Sequence, residues 1–455
     1  MSKNIIEKAV EAPAEFLEKT IEVGEDIGKK LTDSKAFKNP RKYWHILGPG
    51  LTTGAADDDP SGIATYSQTG AQYGFGLLWL APLTFPLMAF IQEMCARIGL
   101  VTGRGLANNI RRHFSRKILY ISTMLLFAAN TFNIGADLGV MAETVKLLIP
   151  SWNFNVLLVG ITLLLLGLQI FMPYSRYAKY LKWLSLTLLA YIASALLANL
   201  DWANVLQHTV TPTLAFDKDQ FFLICAILGT TISPYLFFWQ TSQEVEEEIQ
   251  QGMTTVLMRQ NPTKKEIKAM RTDVWSGMFF SNLVMFFIIA ACGAVLFPNG
   301  VTNINSAAQA AEALRPFAGD WAYFLFTLGI LGTGMLAIPV LAGSSSYAIA
   351  ESFRWTEGLS KKLKHAYAFY GIIIISMIVG LAINFIGLNP IKVLIYSAVA
   401  NGIVAPLVLL PIVILSSNKK IMGDWVNKKF VTAIGWLVIV IMSLAGAVAI
   451  YSMFT

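Results

Sequence analysis

The sequence predicts an all-α integral membrane protein built as two inverted repeats of five helices, with an eleventh helix appended. Three observations carry that prediction. Apolar runs of about 20 residues, the length that crosses a hydrocarbon core, recur from residue 46 onward in a chain of 455 residues that is 55% hydrophobic and 14% charged. Lys and Arg alternate from loop to loop. The first and sixth runs are each broken at mid-length by a proline among polar residues, and paired broken helices mark the midpoint of repeat-built carriers.

In chain order, residues 1–44 form a separate segment without a continuous apolar run, so no cleavable signal peptide is expected. Ile6, Val10, Leu17 and Ile21 recur at helical spacing among Glu and Lys. That pattern suits an amphipathic helix on the membrane face or one docked on a cytoplasmic loop. Eleven spans follow, at roughly 46–70, 75–101, 118–146, 154–172, 181–199, 219–241, 274–297, 317–350, 366–386, 390–415 and 431–454. Repeat one covers about 45–200, repeat two about 219–416, and the extra helix about 430–455. The third and eighth runs exceed a bilayer's thickness and are expected to tilt or project. The charged run QEVEEEIQQ, residues 243–251, reads as a solvated extension of the sixth span.

Orientation follows from the basic residues. The amino-terminal segment holds nine Lys and Arg, and the loops after the second and sixth spans hold five each. Opposite loops hold almost none, chiefly Lys218 and Arg315. The amino terminus is therefore expected in the cytoplasm and the carboxy terminus outside, in a multi-pass protein of the cell membrane. The net charge of +7 is this asymmetry and calls for no nucleic-acid partner. Cys95, Cys225 and Cys292 all lie in apolar runs without CxxC or Cys/His spacing, which excludes a disulfide framework or zinc site. No cofactor is expected, and the chain is expected to be a monomer.

The chemistry concentrates at the two breaks. In the first, Asp57, Asp58, Asp59, Pro60, Ser61 and Gly62 interrupt ILGPGLTTGAADDDPSGIATYSQTG. Pro60 lacks an N–H, clashes with the preceding turn and pushes Asp59 out of the α region. Backbone freed at membrane depth survives only where protein or a water-filled cavity satisfies it. A central carboxylate costs about 2.5–3.5 kcal/mol even on lenient insertion scales. Acids on a broken helix therefore read as a cation site, with Asp59 as direct ligand. Asp57 and Asp58 either raise the negative potential or hold waters, since helical geometry turns them away from Asp59. The second break reads Gly229-Thr230-Thr231-Ile232-Ser233-Pro234-Tyr235. Pro234 leaves the Thr230 carbonyl without its intrahelical partner, which makes it a ligand candidate. Ser233 and Tyr235 can add oxygen atoms or shape. Because this break follows the first by five spans, an odd offset, equivalent helices run in opposite directions. Asn282 and Asn401 are polar groups at membrane depth that either line a path or hydrogen-bond between helices, the latter preferred for Asn401. Glu93 and Arg97, at (i, i+4), read as an internal ion pair.

These residues resemble the Nramp family of divalent-metal transporters. Asp59-Pro60-Ser61-Gly62 stands where that family carries Asp-Pro-Gly-Asn, ARIGLVTGRGLA at 96–107 is very similar to its second-helix pattern, and Ser233-Pro234-Tyr235 stands for Met-Pro-His. The resemblance implies a LeuT-type fold and a cation site between helices 1 and 6. It also implies departures. A methionine thioether is replaced by Ser233, an asparagine ligand by Gly62, and two histidines by Tyr235 and Gln240. Val140 occupies the place of a proton-route glutamate, and the ninth span lacks the family's arginine.

Thioethers favour late transition metals, whereas carboxylate, hydroxyl, carbonyl and water suit Mg, Ca or Mn. Mg²⁺ keeps several waters and takes one or two carboxylates. A roomier, all-oxygen site resembles the subgroup called Nramp-related magnesium transporters. The expected function is entry of Mg²⁺, and also Mn²⁺, without proton coupling, leaving Asp137, Glu143, Asp57 and Asp58 as the remaining titratable groups. The alternative is a proton-coupled Mn²⁺ or Fe²⁺ importer. A trivalent aluminium carrier, a sodium-coupled amino-acid carrier and a membrane-embedded metal-dependent enzyme are more remote. For the last, no HExxH or GxSxG motif is present.

Overall fold

Proline placement dictates where the first long helix stops and restarts. In the computed structural model, which describes residues 48–172, 189–197, 200–214, 217–315 and 319–454, α1 (Pro49–Asp57) ends two residues before α2 (Pro60–Tyr73) begins. Proline suits the first turn of a helix, whose N–H groups lack intrahelical acceptors. Asp59 precedes it in extended conformation and caps α2 by accepting from the Gly62 N–H. The next helices are α3 (Leu80–Thr102), α4 (Leu106–His113), α5 (Arg116–Leu148), α6 (Phe154–Phe171), α7 (Leu189–Leu197) and α8 (Trp202–Val210). The second repeat opens with the same device: α9 (Lys218–Thr231) ends two residues before α10 (Pro234–Gln250). Then come α11 (Lys264–Val295), α12 (Ala322–Phe353), α13 (Tyr367–Ile383), α14 (Pro390–Ser416) and α15 (Lys429–Phe454).

Nine helical stretches among the described residues are long and apolar enough to cross a membrane. The broken first span is a tenth; of the fifth, expected at 181–199, the helix Leu189–Leu197 lies among the described residues, and the amino-terminal segment 1–44 lies outside them. The seventh span begins ten residues earlier than expected. Thr263 and Glu266 form a capping box that starts α11 in what the sequence suggested was a loop.

Packing is reciprocal between repeats. The halves α1 and α2 lie against α11, while α10 lies against α3 and α9 against α14. Helix α5 runs through the centre and touches α12, α13 and α14. Lipid is as apolar as a leucine side chain, so close backbone approach and hydrogen bonds hold these contacts. Gly50 and Gly54 on α1 meet Gly277 on α11 so tightly that a Cβ on Gly54 would sit 2.3 Å from the Gly277 carbonyl oxygen. Asp273, at the start of the same contact, accepts from the Gly50 and Leu51 N–H groups at 2.6 and 3.1 Å. It thereby satisfies donors left open at the start of α1. On the opposite face of the bundle, the Gln68 side chain donates to the Thr302 carbonyl and accepts from the Ile304 N–H. That pair ties the loop before α12 to α2.

One expectation changes and another holds. The run 243–251 is not a solvated extension, because Glu244, Glu246 and Glu248 are buried and only Glu247 of its acids is exposed. Helix α10 continues between α3 and α12, where Glu246 accepts from the Tyr347 hydroxyl and Glu244 from the Gln240 amide. The expected Glu93–Arg97 ion pair is present, buried and 3.7 Å long, and Glu93 also accepts from Arg271 and the Trp275 indole at 2.8 Å. Arg97 donates as well to the Asn427 side chain.

Candidate functional site

The two breaks meet at the centre of the bundle. Asp57, Asp58 and Asp59 are at most 1% exposed, as are Thr230, Ser233 and Tyr235. Gly62 marks the junction, since a Cβ there would lie 3.1 Å from Thr230 Oγ1 and 3.2 Å from the Asp57 carbonyl oxygen. Those two oxygens and, at 3.4 Å, the Tyr66 ring flank residue 62 so closely that a side chain there would have to displace them. Tyr235 crosses the junction and donates to the Ala56 carbonyl at 2.9 Å, satisfying one of the acceptors left open at the end of α1.

Asp59 is held from three directions. Its Oδ1 accepts from Ser61 Oγ at 2.6 Å and the Gly62 N–H at 2.7 Å, and its Oδ2 accepts from Asn133 Nδ2 at 2.8 Å. An ionised carboxylate offers about four acceptor positions, so these donors fill most of those on Asp59. Asn133 in turn accepts from Ser397 Oγ of α14 at 2.7 Å, so α5 and α14 are wired to the carboxylate at the break.

The remaining residues divide. Asp57 Oδ2 accepts from Ser281 of α11 at 2.6 Å. Its other oxygen, both oxygens of Asp58 and Thr230 Oγ1 are buried without a hydrogen-bond partner among the described residues. Unpaired buried carboxylates are costly and mark charge-handling sites in membranes. Ser233 turns its hydroxyl back onto the Gly229 and Thr230 carbonyls at 2.6 and 2.8 Å. The Thr230 carbonyl orphaned by Pro234 therefore already has one donor and keeps one lone pair. Asn282 is committed elsewhere: it accepts from Thr84 on α3 and donates to the Met278 carbonyl. Asn401, where the sequence favours an interhelical hydrogen bond, has both amide atoms buried and unpartnered among the described residues. No three His, Cys, Asp or Glu side chains converge as a metal-holding group among the described residues. The arrangement is accordingly a sparse one: a clamped carboxylate, backbone carbonyls and hydroxyls.

Sequence reading missed Asn133 and Ser397. A signal for Asn133 existed, because it lies four residues before Asp137 and so on the same face of α5.

A family model described as Nramp, natural resistance-associated macrophage protein-like, matches residues 50–452. The chain belongs to the Nramp family. It is accordingly a multi-pass membrane transporter, not an enzyme. Among curated Nramp relatives it is similar to the divalent metal cation transporter MntH of Klebsiella pneumoniae subsp. pneumoniae, at 26% identity over 414 residues, covering 88% of this chain and 92% of the relative. The crystal structure of the Eremococcus coleocola manganese transporter shares the fold with TM-score 0.69 at 18% identity, covering 90% of this chain and 87% of that one. Mhp1, a nucleobase-cation-symport-1 family transporter, shares it with TM-score 0.55 at 16% identity over 89% of this chain and 90% of its own. The Nramp chain described here has the LeuT-type fold expected of inverted repeats. Val140 is buried on α5, and α13 (Tyr367–Ile383) carries no charged residue.

Proposed function

We propose that this Nramp protein carries Mg²⁺, and also Mn²⁺, into the cell without proton coupling, from a site between the two helix breaks. Transport of divalent metal cations is the activity its family membership carries. The preference for Mg²⁺ is supported by one observation above all: the side chains that meet at the breaks, Asp59, Thr230, Ser233 and Tyr235, are all oxygen donors. Ser233 stands where a thioether would favour softer ions. Gly62 supplies no side-chain ligand of its own, which suits a cation that keeps part of its water. Val140 and the uncharged α13 support uncoupled entry, which the membrane potential drives with about 2.3 kcal/mol per charge per 100 mV. The basic loops support a cytoplasmic amino terminus and an external carboxy terminus.

A second reading, proton-coupled Mn²⁺ or Fe²⁺ import, draws on Asp137, whose buried carboxyl oxygens have no partner among the described residues. Competition uptake separates the two. In proteoliposomes supplied with trace Mn²⁺, excess Mg²⁺ is expected to suppress uptake by the natural protein. Ser233→Met should weaken that suppression by about tenfold, the worth of 1.4 kcal/mol. Indifference of the natural protein to Mg²⁺ would return the site to the second reading.

A further inference from the structure

A cavity of about 870 Å³ lies at the bundle end where α3 finishes and α11 begins, and none of its lining residues belongs to α1, α2, α9 or α10. Arg104, Arg112, His113, Lys264 and Lys420 line it, with Trp425 beside them. Asp424 is its lining carboxylate. Among the described residues no ion pair neutralises any of the five basic groups. Arg104 reaches only the Thr102 carbonyl at 3.3 Å, and Arg112 the Asn108 amide oxygen at 3.1 Å. Their charges press on one another. Burial, Arg112 and Arg259 push the Arg104 guanidinium below its ordinary range, and burial, Arg112 and Arg104 do the same to the His113 imidazole.

The cavity's rim is fixed rather than loose. Gly103, with φ of 61°, turns the chain out of α3 and accepts from Arg259 Nε through its carbonyl. Arg259 also donates to the Met253 carbonyl at 2.9 Å, so the 253–259 loop is tied to the same turn. That loop presents two apolar side chains, Leu257 at 82% and Met258 at 55% exposure. Like charges gathered around a cavity need a multivalent anion, and a phosphate matches guanidinium forks and ammonium groups together.

We propose that this cavity binds a phosphate-bearing anion and that its source is the headgroup of an acidic phospholipid. The cavity opens at the ends of membrane-spanning helices and is lined by Trp425 and by Gln260, the residue that follows the loop carrying exposed Leu257 and Met258. An acyl chain has an apolar landing there, and a soluble phosphate does not. Basic pockets between spanning helices hold anionic headgroups on the same grounds.

The test is native mass spectrometry of the purified full-length protein, titrated separately with phosphatidylglycerol, phosphatidylcholine and inorganic pyrophosphate. Two variants accompany it, Arg104→Gln with Arg112→Gln, and Lys264→Gln with Lys420→Gln. Melting curves check that each remains folded. Phosphatidylglycerol adducts should exceed phosphatidylcholine adducts in the natural protein and fall by at least about fivefold in either variant, as one lost basic contact already predicts. Equal phosphatidylglycerol retention by all three proteins, with pyrophosphate inert, would overturn the site. Pyrophosphate binding lost in the variants while lipid retention is unchanged would overturn the lipid source.

Discussion

Asp59 is a ligand candidate whose orientation is set by neighbours, Ser61 and Gly62 from its own turn and Asn133 from across the bundle. Removing such a supporting partner usually costs about 10–100-fold in metal affinity. Asn133→Ala is therefore expected to raise the Mg²⁺ concentration for half-maximal uptake by about that factor, with the maximal rate much less changed. Uptake curves in proteoliposomes read this directly, and an unchanged half-saturation point would remove Asn133 from the account. Asp59 itself was legible in the sequence because Asp-Pro in an apolar run has few purposes. Asn133 was not legible as its partner: 74 residues separate the two, and sequence does not say which face of α5 meets the break. Glu357, outside the spans, offers a titration on the same scale. Burial and the nearby Glu246 push its carboxyl up to about 7, against the opposing pull of Lys361. Its folded-state value lies above the unfolded one, so its contribution is full at acid pH and is lost as pH rises toward 7. Relative to Glu357→Gln, the natural protein should lose melting temperature between about pH 5 and about pH 8. A constant difference between the two would contradict the assignment.

Helices α1 and α11 illustrate how elements are held without a hydrophobic drive between them. Gly50, Gly54 and Gly277 let the backbones touch, and Asp273 caps the start of α1 over the same contact. A side chain at residue 54 has nowhere to go, because its Cβ meets backbone rather than a flexible tip. Gly54→Leu should therefore abolish the monodisperse, cooperatively melting protein. Gly329→Ala, on α12 with nothing within 4 Å, should leave melting unchanged or improve it by up to about 1 kcal/mol. Equal behaviour of the two variants would mean that close packing does not hold α1. The breaks, span order and most helix ends were readable, since proline, apolar length and loop charge are local signals. The fate of residues 243–251 was not. Their acids look solvated in sequence, and only the burial of α10 between α3 and α12 makes them interior.

At the scale of the whole molecule, the repeats place two proline-interrupted helices head to head, so that each supplies half of one oxygen-lined junction. The first break contributes the clamped carboxylate and the Asp57 carbonyl. The second contributes the Thr230 carbonyl and the hydroxyls of Thr230, Ser233 and Tyr235. Asp57 and Asp58 lie buried beside Asp59, and among the described residues the three do not converge into a metal-holding cage. The measurement that bears most directly on this account is Mg²⁺ entry into proteoliposomes loaded with both a Mg²⁺ dye and a pH dye, alongside the Asp59→Ala protein. The account predicts saturable Mg²⁺ entry that grows with an inside-negative potential, brings no acidification, and falls to the protein-free background in Asp59→Ala. Mn²⁺ entry accompanied by acidification, with Mg²⁺ entry no faster than through empty vesicles, would contradict it.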